Sequence, residues 1–213
     1  MGLFYWIGHT GSKIFARTVC SMRVQNQSGL EGNEGGLIIA SNHVSFLDPP
    51  LVGSAIREPI YYFARKTLLD HPVANFILTR VNALPVDQSR PEISVLKKII
   101  QLLKKEEKVL IFPEGERSWD GKLNMDGQPG IGMIVSKAKV PVLPVRLFGA
   151  EKALPRGEKK IKRHPVTLVV GEPIDFTSVL EDPELGSKEK YKLIADRIME
   201  AIAALELVDS RGE

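Results

Sequence analysis

The chain is 213 residues long, with a formal net charge of +3 at pH 7, 43% hydrophobic and 26% charged residues. That length is enough to bury the core of one α/β domain, and the composition is that of an ordinary globular protein rather than a disordered or low-complexity chain. A single cysteine, Cys20, excludes an intramolecular disulfide and a zinc site built on thiolates, and no apolar run approaches the roughly 18 residues needed to span a bilayer.

Charge is unevenly placed. No acidic residue precedes Glu31, and six of the thirteen residues from Glu151 to Arg163 are basic. Either region suits an anionic surface, and the second reads equally well as a solvated loop. Neither interleaves aromatics with its cations as a single-strand binder does, so nucleic acid is not expected as a partner. The start of the chain has no small-residue cleavage site, and the protein is expected to stay inside the cell.

Plotted at 100° per residue, residues 3–22 make an amphipathic helix. Leu3, Phe4, Ile7, Ile14, Phe15 and Met22 fall on one side, and His9, Lys13 and Arg17 on the other. Such a helix either lies in the interface of an anionic membrane or packs on the domain core. A polar, glycine-rich link over residues 25–36 leads to the apolar run Leu37-Ile38-Ile39-Ala40, which reads as a buried strand. Further strands are expected over residues 60–64, 83–86, 109–112, 140–147 and 164–170. Helices are expected over residues 51–56, 91–105, 129–139 and 188–207, and a helix pair interrupted by Pro72 over residues 67–81. Pro141 and Pro144 point to a sheet edge or a strand end, and an acyl chain or plain core packing fits the apolar residues around them. Strands alternating with helices predict an α/β fold with a mainly parallel central sheet flanked by helices. The expected organisation is an N-terminal amphipathic helical membrane attachment over residues 1–30 and an α/β domain over residues 31–213.

Two polar clusters follow strands, and the carboxyl ends of strands are where open α/β sheets form their ligand crevices. The first is Asn42-His43-Val44-Ser45-Phe46-Leu47-Asp48, closed by Pro49-Pro50. Its spacing lets one tight turn fold Asp48 onto the His43 ring, leaving the other ring nitrogen as a general base. A histidine at a helix cap with an aspartate on loop amides is the structural alternative. The second cluster is Pro113-Glu114-Gly115-Glu116-Arg117-Ser118-Trp119-Asp120-Gly121. There the Arg117 fork and the glycines suit a phosphate monoester, or Arg117 pairs with Glu114 or Glu116 in a plain polar loop. Gly115 and Gly121 are one residue too far apart for a nucleotide P-loop, and Lys122 is followed by leucine. Lys66 stands at the end of the strand over residues 60–64, within range of the same edge.

Taken together, Asn42-His43 with Asp48, Phe112-Pro113-Glu114-Gly115 with Arg117-Ser118, and Val140-Pro141-Val142-Leu143-Pro144-Val145 resemble the bacterial 1-acyl-glycerol-3-phosphate acyltransferases. The blocks stand in that family's order and spacing from about Leu37 to Gly171. The resemblance implies acyl transfer from an acyl carrier protein or coenzyme A thioester to the 2-hydroxyl of lysophosphatidic acid, giving phosphatidic acid. It implies that His43 is the base, Asp48 its orienting partner, and Glu114, Gly115, Arg117 and Ser118 part of the glycerol-phosphate site, with Pro144 matching the family's fourth block. The second block usually opens with glycine and ends with arginine, where this chain has Asn82 and Gln88. Phosphate binding must then lean on Arg117, with Arg90 or Lys66 as substitutes, and another lysolipid or glycerol-phosphate acceptor is the alternative.

A thioester is already activated, so removing the proton of an alcohol suffices, and neither a cofactor nor a metal is expected. His43 and Asp48 are too few ligands for a catalytic metal. Neither Ser45 nor Ser118 lies in a Gly-x-Ser-x-Gly elbow, against a serine acyl-enzyme. A non-catalytic membrane-binding module is the remaining rival, and it has no use for His43. The expected location is the cytoplasmic face of the membrane, held peripherally.

Overall fold

The computed structural model describes residues 2–30, 34–70, 75, 78, 81–86 and 93–208. Helix α1 (Leu3–Thr18) leads into β1 (Arg23–Gln25), and a 3-10 turn (Gln27–Leu30) precedes β2 (Leu37–Ser41). There follow α2 (Asp48–Ala55), β3 (Ile60–Arg65), a second 3-10 turn (Lys66–Asp70), β4 (Ala83–Val86), α3 (Ile93–Lys104) and β5 (Lys108–Ile111). The chain continues through α4 (Pro129–Ala138), β6 (Val142–Phe148), α5 (Ala150–Ala153), β7 (Thr167–Val170), α6 (Thr177–Glu181) and α7 (Ser187–Ala204).

The strands form one sheet in the order β1-β7-β6-β2-β5-β3-β4. From β6 through β2, β5 and β3 to β4 every neighbour is parallel, and β7 returns antiparallel to β6. The carboxyl ends of β2, β5 and β3 therefore lie along one edge, and the polar clusters that follow β2 and β5 meet there. β2 is central and buried at all five positions. Its alternation divides the core in two, as a pleated strand covered on both faces requires. Leu37 and Ile39 pack with Ala16, Cys20, Leu51, Val52, Ala150 and Ala153 on one face. Ile38 and Ala40 pack with Ile99 and Leu103 of α3, Ile134 and Val135 of α4, and Ile194, Ile198 and Met199 of α7 on the other.

Two expectations change. First, α1 is wired into the domain. His9 does not share the exposed basic side but is buried, with Nε2 2.9 Å from the Ile56 carbonyl. Tyr5 Oη accepts from the Ile60 amide at 3.0 Å, and Ala16 and Cys20 belong to the core. Leu3, Phe4, Ile7 and Ile14 stay exposed, so the helix has an inner face and a separate outer apolar stripe. Residues 23–25, ahead of the expected start of the sheet, pair with β7 as an edge strand, so the sheet begins before residue 31. Second, β6 is an interior strand despite its proline. Pro144 lies opposite Gly171 just beyond the β6–β7 ladder, which begins at Val145↔Val170. Gly171 N–H donates to the Pro144 carbonyl at 2.9 Å, and only the return bond, which proline cannot make, is missing. The helix pair expected over residues 67–81 falls largely outside the described residues, as do Gln88 and Arg90.

Two helices on the same face approach unusually closely at Gly132 of α4. A Cβ there would stand 2.0 Å from the Tyr191 carbonyl oxygen of α7, whereas one on Gly130 meets nothing within 4 Å. Gly132→Ala is expected to cost about 3 kcal/mol by forcing α4 and α7 apart. Gly130→Ala should be neutral or slightly stabilising. Urea denaturation of the two variants checks this, and equal midpoints would refute the close approach.

Candidate active site

β2 ends at Ser41, and the next residue anchors the turn. Asn42 Nδ2 donates to the Leu147 carbonyl at 3.0 Å, and its Oδ1 accepts from the Leu147 amide at 2.8 Å. The chain then turns sharply into α2, with Asp48 in the first helical turn. Pro49 and Pro50 follow it where an absent N–H leaves no intrahelical bond unmade. This start of α2 brings the Asp48 side chain back under the turn. Its Oδ2 lies 2.8 Å from His43 Nδ1, 2.7 Å from the Val44 amide and 2.8 Å from the Ser45 amide.

That arrangement fixes the tautomer. Two backbone N–H groups point at Oδ2, so this oxygen carries no proton, and Nδ1 must be the donor in the third bond. Nε2 is then the free acceptor of the neutral ring. Phe112 stacks on the imidazole with centroids 3.9 Å apart and planes at 15°, which holds the ring from the side. Burial pushes the Asp48 carboxyl above the ordinary carboxylate range, while the His43 ring and the two amides oppose that push.

The loop after β5 grips the same turn through its backbone. Glu114, expected among the phosphate contacts, is buried, and both of its oxygens are taken by amides. Oε1 accepts from His43 N–H at 2.7 Å and Oε2 from Asn124 N–H at 3.0 Å. Burial raises the Glu114 carboxyl above its usual range, the two amides pull it back, and the nearby Asp48 charge raises it further. Ser118 N–H donates to the His43 carbonyl at 2.8 Å, closing the grip from the other side. Gly115 turns the loop with φ 77°, a conformation that suits glycine. Ser118 Oγ donates to Asp120 at 2.8 Å, and Ser45 Oγ is buried, donating to the Leu154 carbonyl at 2.9 Å.

His43 lines a cavity of ≈ 880 Å³ whose walls are mostly apolar. It is bounded by Tyr62 and Ala64 of β3, Leu96 and Ile99 of α3, Leu110 and Phe112, and by Tyr5, Gly8 and His9 of α1. None of residues 140–147 lines it, because β6 lies on the far side of β2. Pro144 is accordingly buried in the sheet rather than in this cavity. Phe46, Gly115, Glu116 and Arg117 also line the cavity, with Arg117 Cζ 3.3 Å from the centre of the Phe46 ring. Lys66 is exposed at the carboxyl end of β3, next to Thr67, which lines the cavity.

Sequence reading missed two participants. Phe112 stands in an expected strand and at the head of the Phe112-Pro113-Glu114-Gly115 run with no role of its own, and nothing in an apolar run marks the one ring that stacks on a histidine. Arg156 lay in the basic stretch 151–163 with no individual role. In the fold its Nη1 donates to the Arg117 carbonyl, its guanidinium lies 3.3 Å from the centre of the Trp119 ring, and it reaches Glu116 at 3.4 Å. Among the described residues no group of three His, Cys, Asp or Glu side chains is placed to hold a metal ion, and no helix is long and apolar enough to cross a membrane.

The chain has counterparts among known proteins. A family model described as Acyltransferase matches residues 21–147, more than half of the chain. A 1-acyl-sn-glycerol-3-phosphate acyltransferase of Bacillus subtilis is 29% identical over 189 residues, which cover 87% of this chain and 88% of that protein. The chloroplastic enzyme of the same name from Brassica napus is 32% identical over 71% of this chain, which spans 44% of the plant protein's length. The crystal structure of the 1-acyl-sn-glycerophosphate acyltransferase PlsC from Thermotoga maritima superposes with a TM-score of 0.70 over 94% of this chain and 81% of that one, at 24% identity, and so shares the fold. With the match running from before β2 through nearly all of β6, and so across both halves of the His43 site, the chain belongs to the acyltransferase family.

Proposed function

We propose that this protein transfers a fatty acyl group from a thioester to the 2-hydroxyl of 1-acyl-glycerol-3-phosphate, forming phosphatidic acid. The observation that carries the reading is His43, with Nδ1 2.8 Å from the buried Asp48 carboxyl, on the wall of an apolar cavity large enough for a lipid chain. The names of the Bacillus and Brassica relatives support the choice of acceptor. The donor is an acyl carrier protein or coenzyme A thioester, and both reacting molecules bring an acyl chain that the cavity walls suit.

His43 Nε2 takes the proton of the acceptor hydroxyl as its oxygen attacks the thioester carbonyl. The tetrahedral intermediate collapses with cleavage of the C–S bond, and the imidazolium returns the proton to the departing thiolate. Base catalysis of this kind contributes roughly 10²- to 10⁴-fold, which is enough for an activated ester. Asp48 stabilises the imidazolium that forms in between. Glu114, with both oxygens on backbone amides, acts by positioning His43 rather than by meeting phosphate, where its charge would repel the ligand. Arg117 at the cavity rim is the phosphate contact, supported by Gly115 and Ser118 of its loop and by Lys66. The outer stripe of α1, with Lys13 and Arg17 beside it, holds the enzyme peripherally on the cytoplasmic face of an anionic membrane.

His43→Ala should abolish phosphatidic acid formation while leaving the circular dichroism spectrum and melting temperature near those of wild type. Asp48→Asn should be milder. The Val44 and Ser45 amides will orient the Asn oxygen toward Nδ1, so the tautomer survives and only the stabilising charge is lost, for about a 10²-fold fall in kcat. Assay of the purified variants with lysophosphatidic acid and either thioester decides this, and near-normal turnover by the histidine variant would sink the mechanism.

Arg117→Lys keeps the charge but loses the planar fork. One charge-assisted hydrogen bond fewer should raise the acceptor KM about tenfold or more, with the donor KM nearly unchanged. An unchanged acceptor KM would remove Arg117 from the phosphate site.

A further inference from the structure

The rim of the cavity continues onto the surface as a band of aromatics and cations that the catalytic reading does not use. Phe46 is half exposed and covered on one side by Arg117. Arg156 joins this rim to its neighbour, donating to the Arg117 carbonyl while its guanidinium covers one face of Trp119. Trp119 itself is 77% exposed, an unusual setting for the largest apolar side chain. Beyond Arg156 the loop carries Lys159, Lys160, Lys162 and Arg163, all exposed, around an exposed Ile161. The acids nearby are already engaged. Glu158 pairs with Lys162 at 2.9 Å, Glu116 lies against Arg156, and Asp120 accepts from Ser118 and from the Lys122 amide.

We propose that this band, Trp119 with Ile161 and the cations at 159–163, is a second bilayer contact that seats the cavity mouth on an anionic lipid surface. It rests on the reading that the substrates carry acyl chains. Tryptophan and isoleucine set among lysines and arginines make a surface that is apolar enough to enter the headgroup region and charged enough to be drawn there. An acidic protein such as a carrier would satisfy the cations, but it gives no reason for Trp119 and Ile161 to stand exposed among them, with Phe46 half exposed at the cavity rim. A lipid leaving the membrane for His43 gains from apolar side chains at the mouth, because each CH₂ exposed to water on the way costs about 0.8 kcal/mol. α1 lines the same cavity with Tyr5, Gly8 and His9 of its inner face and carries the stripe on its outer one, so two contacts would fix the orientation of the enzyme as well as its attachment.

The chain has two tryptophans, Trp6 in α1 and Trp119 in the band, and each can be left as the sole reporter. Trp6→Phe and Trp119→Phe are mixed with vesicles of phosphatidylglycerol and brominated phosphatidylcholine, and binding is followed in parallel by flotation. The expected result is a blue shift and quenching of Trp119 in the Trp6→Phe protein. The triple variant Lys159→Glu, Lys160→Glu and Arg163→Glu should weaken vesicle binding at least about 10-fold in a salt-dependent way. A protein that floats with vesicles while Trp119 stays unquenched overturns the proposal. If Trp6 is quenched in that case, attachment through α1 stands without it. Quenching of Trp119 with Trp6 unaffected would uphold the band and remove α1 from the membrane. If the triple variant binds vesicles like wild type but turns over slowly with a carrier-protein thioester and normally with coenzyme A, the band is a carrier-protein dock and the proposal fails.

Discussion

One buried oxygen organises the catalytic edge of this protein. Asp48 Oδ2 takes three N–H donors, from the His43 ring and from the Val44 and Ser45 amides, within 2.8 Å. Placing a carboxylate there is unfavourable in itself, since an ion removed from water needs compensation from every group around it. Burial pushes its pKa up. A folded-state carboxyl raised above its unfolded value contributes stability at low pH that is lost as the pH climbs through the raised pKa, so this residue works against folding under neutral conditions. What it supplies is direction. The turn between β2 and α2 cannot close in any other way without leaving two amides unpaired, and once closed it leaves His43 Nε2 as the only free nitrogen of the ring.

The rest of the fold can be understood as support for that turn. Asn42 ties it to β6, Glu114 and Ser118 tie it to the loop after β5, and Ser45 Oγ ties it to Leu154. These anchors come from the strands on both sides of β2, which is why the site needs the central position of that strand. The two sides of the edge then differ in character. Toward β5, β3 and β4 the sheet, α3 and α1 enclose an apolar cavity. Toward β6 a second cleft of ≈ 720 Å³ mixes Lys122, Glu151 and Lys152 with Leu123, Met125 and Phe148.

Much of the fold was legible because local pattern and burial agree. The runs at 37–40 and 109–112 are apolar at every position, as strands covered on both faces must be, and the heptad-like spacing of Ile99, Ile100 and Leu103 belongs to one helix. Residues 23–25 were missed because an edge strand of three residues has no periodicity to read. The interior position of β6 was hidden by Pro144, whose missing donor happens to fall where the ladder with β7 ends. For α1 the helical wheel placed Leu3, Phe4, Ile7 and Ile14 on the outer stripe correctly but misjudged Phe15 and Met22, which pack against the core, and His9, since a histidine that bonds a carbonyl across the core looks polar in sequence and is buried in space. In the site, spacing allowed the His43 and Asp48 pairing but left the loop-amide alternative open, the resemblance favoured the pairing, and the fold has Asp48 do both, since its Oδ2 meets the ring and the Val44 and Ser45 amides. The roles of Glu114 and Arg156 were not legible, because a carboxylate on backbone amides and a guanidinium on a ring are both long-range contacts that composition does not encode.

The most direct test of this account is the protonation of the His43 ring itself. Nitrogen-15 NMR of the ring-labelled protein, at a pH where the imidazole is neutral, separates the two tautomers. The three bonds to Asp48 Oδ2 require a proton on Nδ1 and a bare Nε2, and Asp48→Asn should keep that pattern because the Val44 and Ser45 amides select the Asn oxygen. A proton on Nε2 in the wild-type protein would contradict the account at its base, since the nitrogen assigned to accept the substrate proton would already carry one.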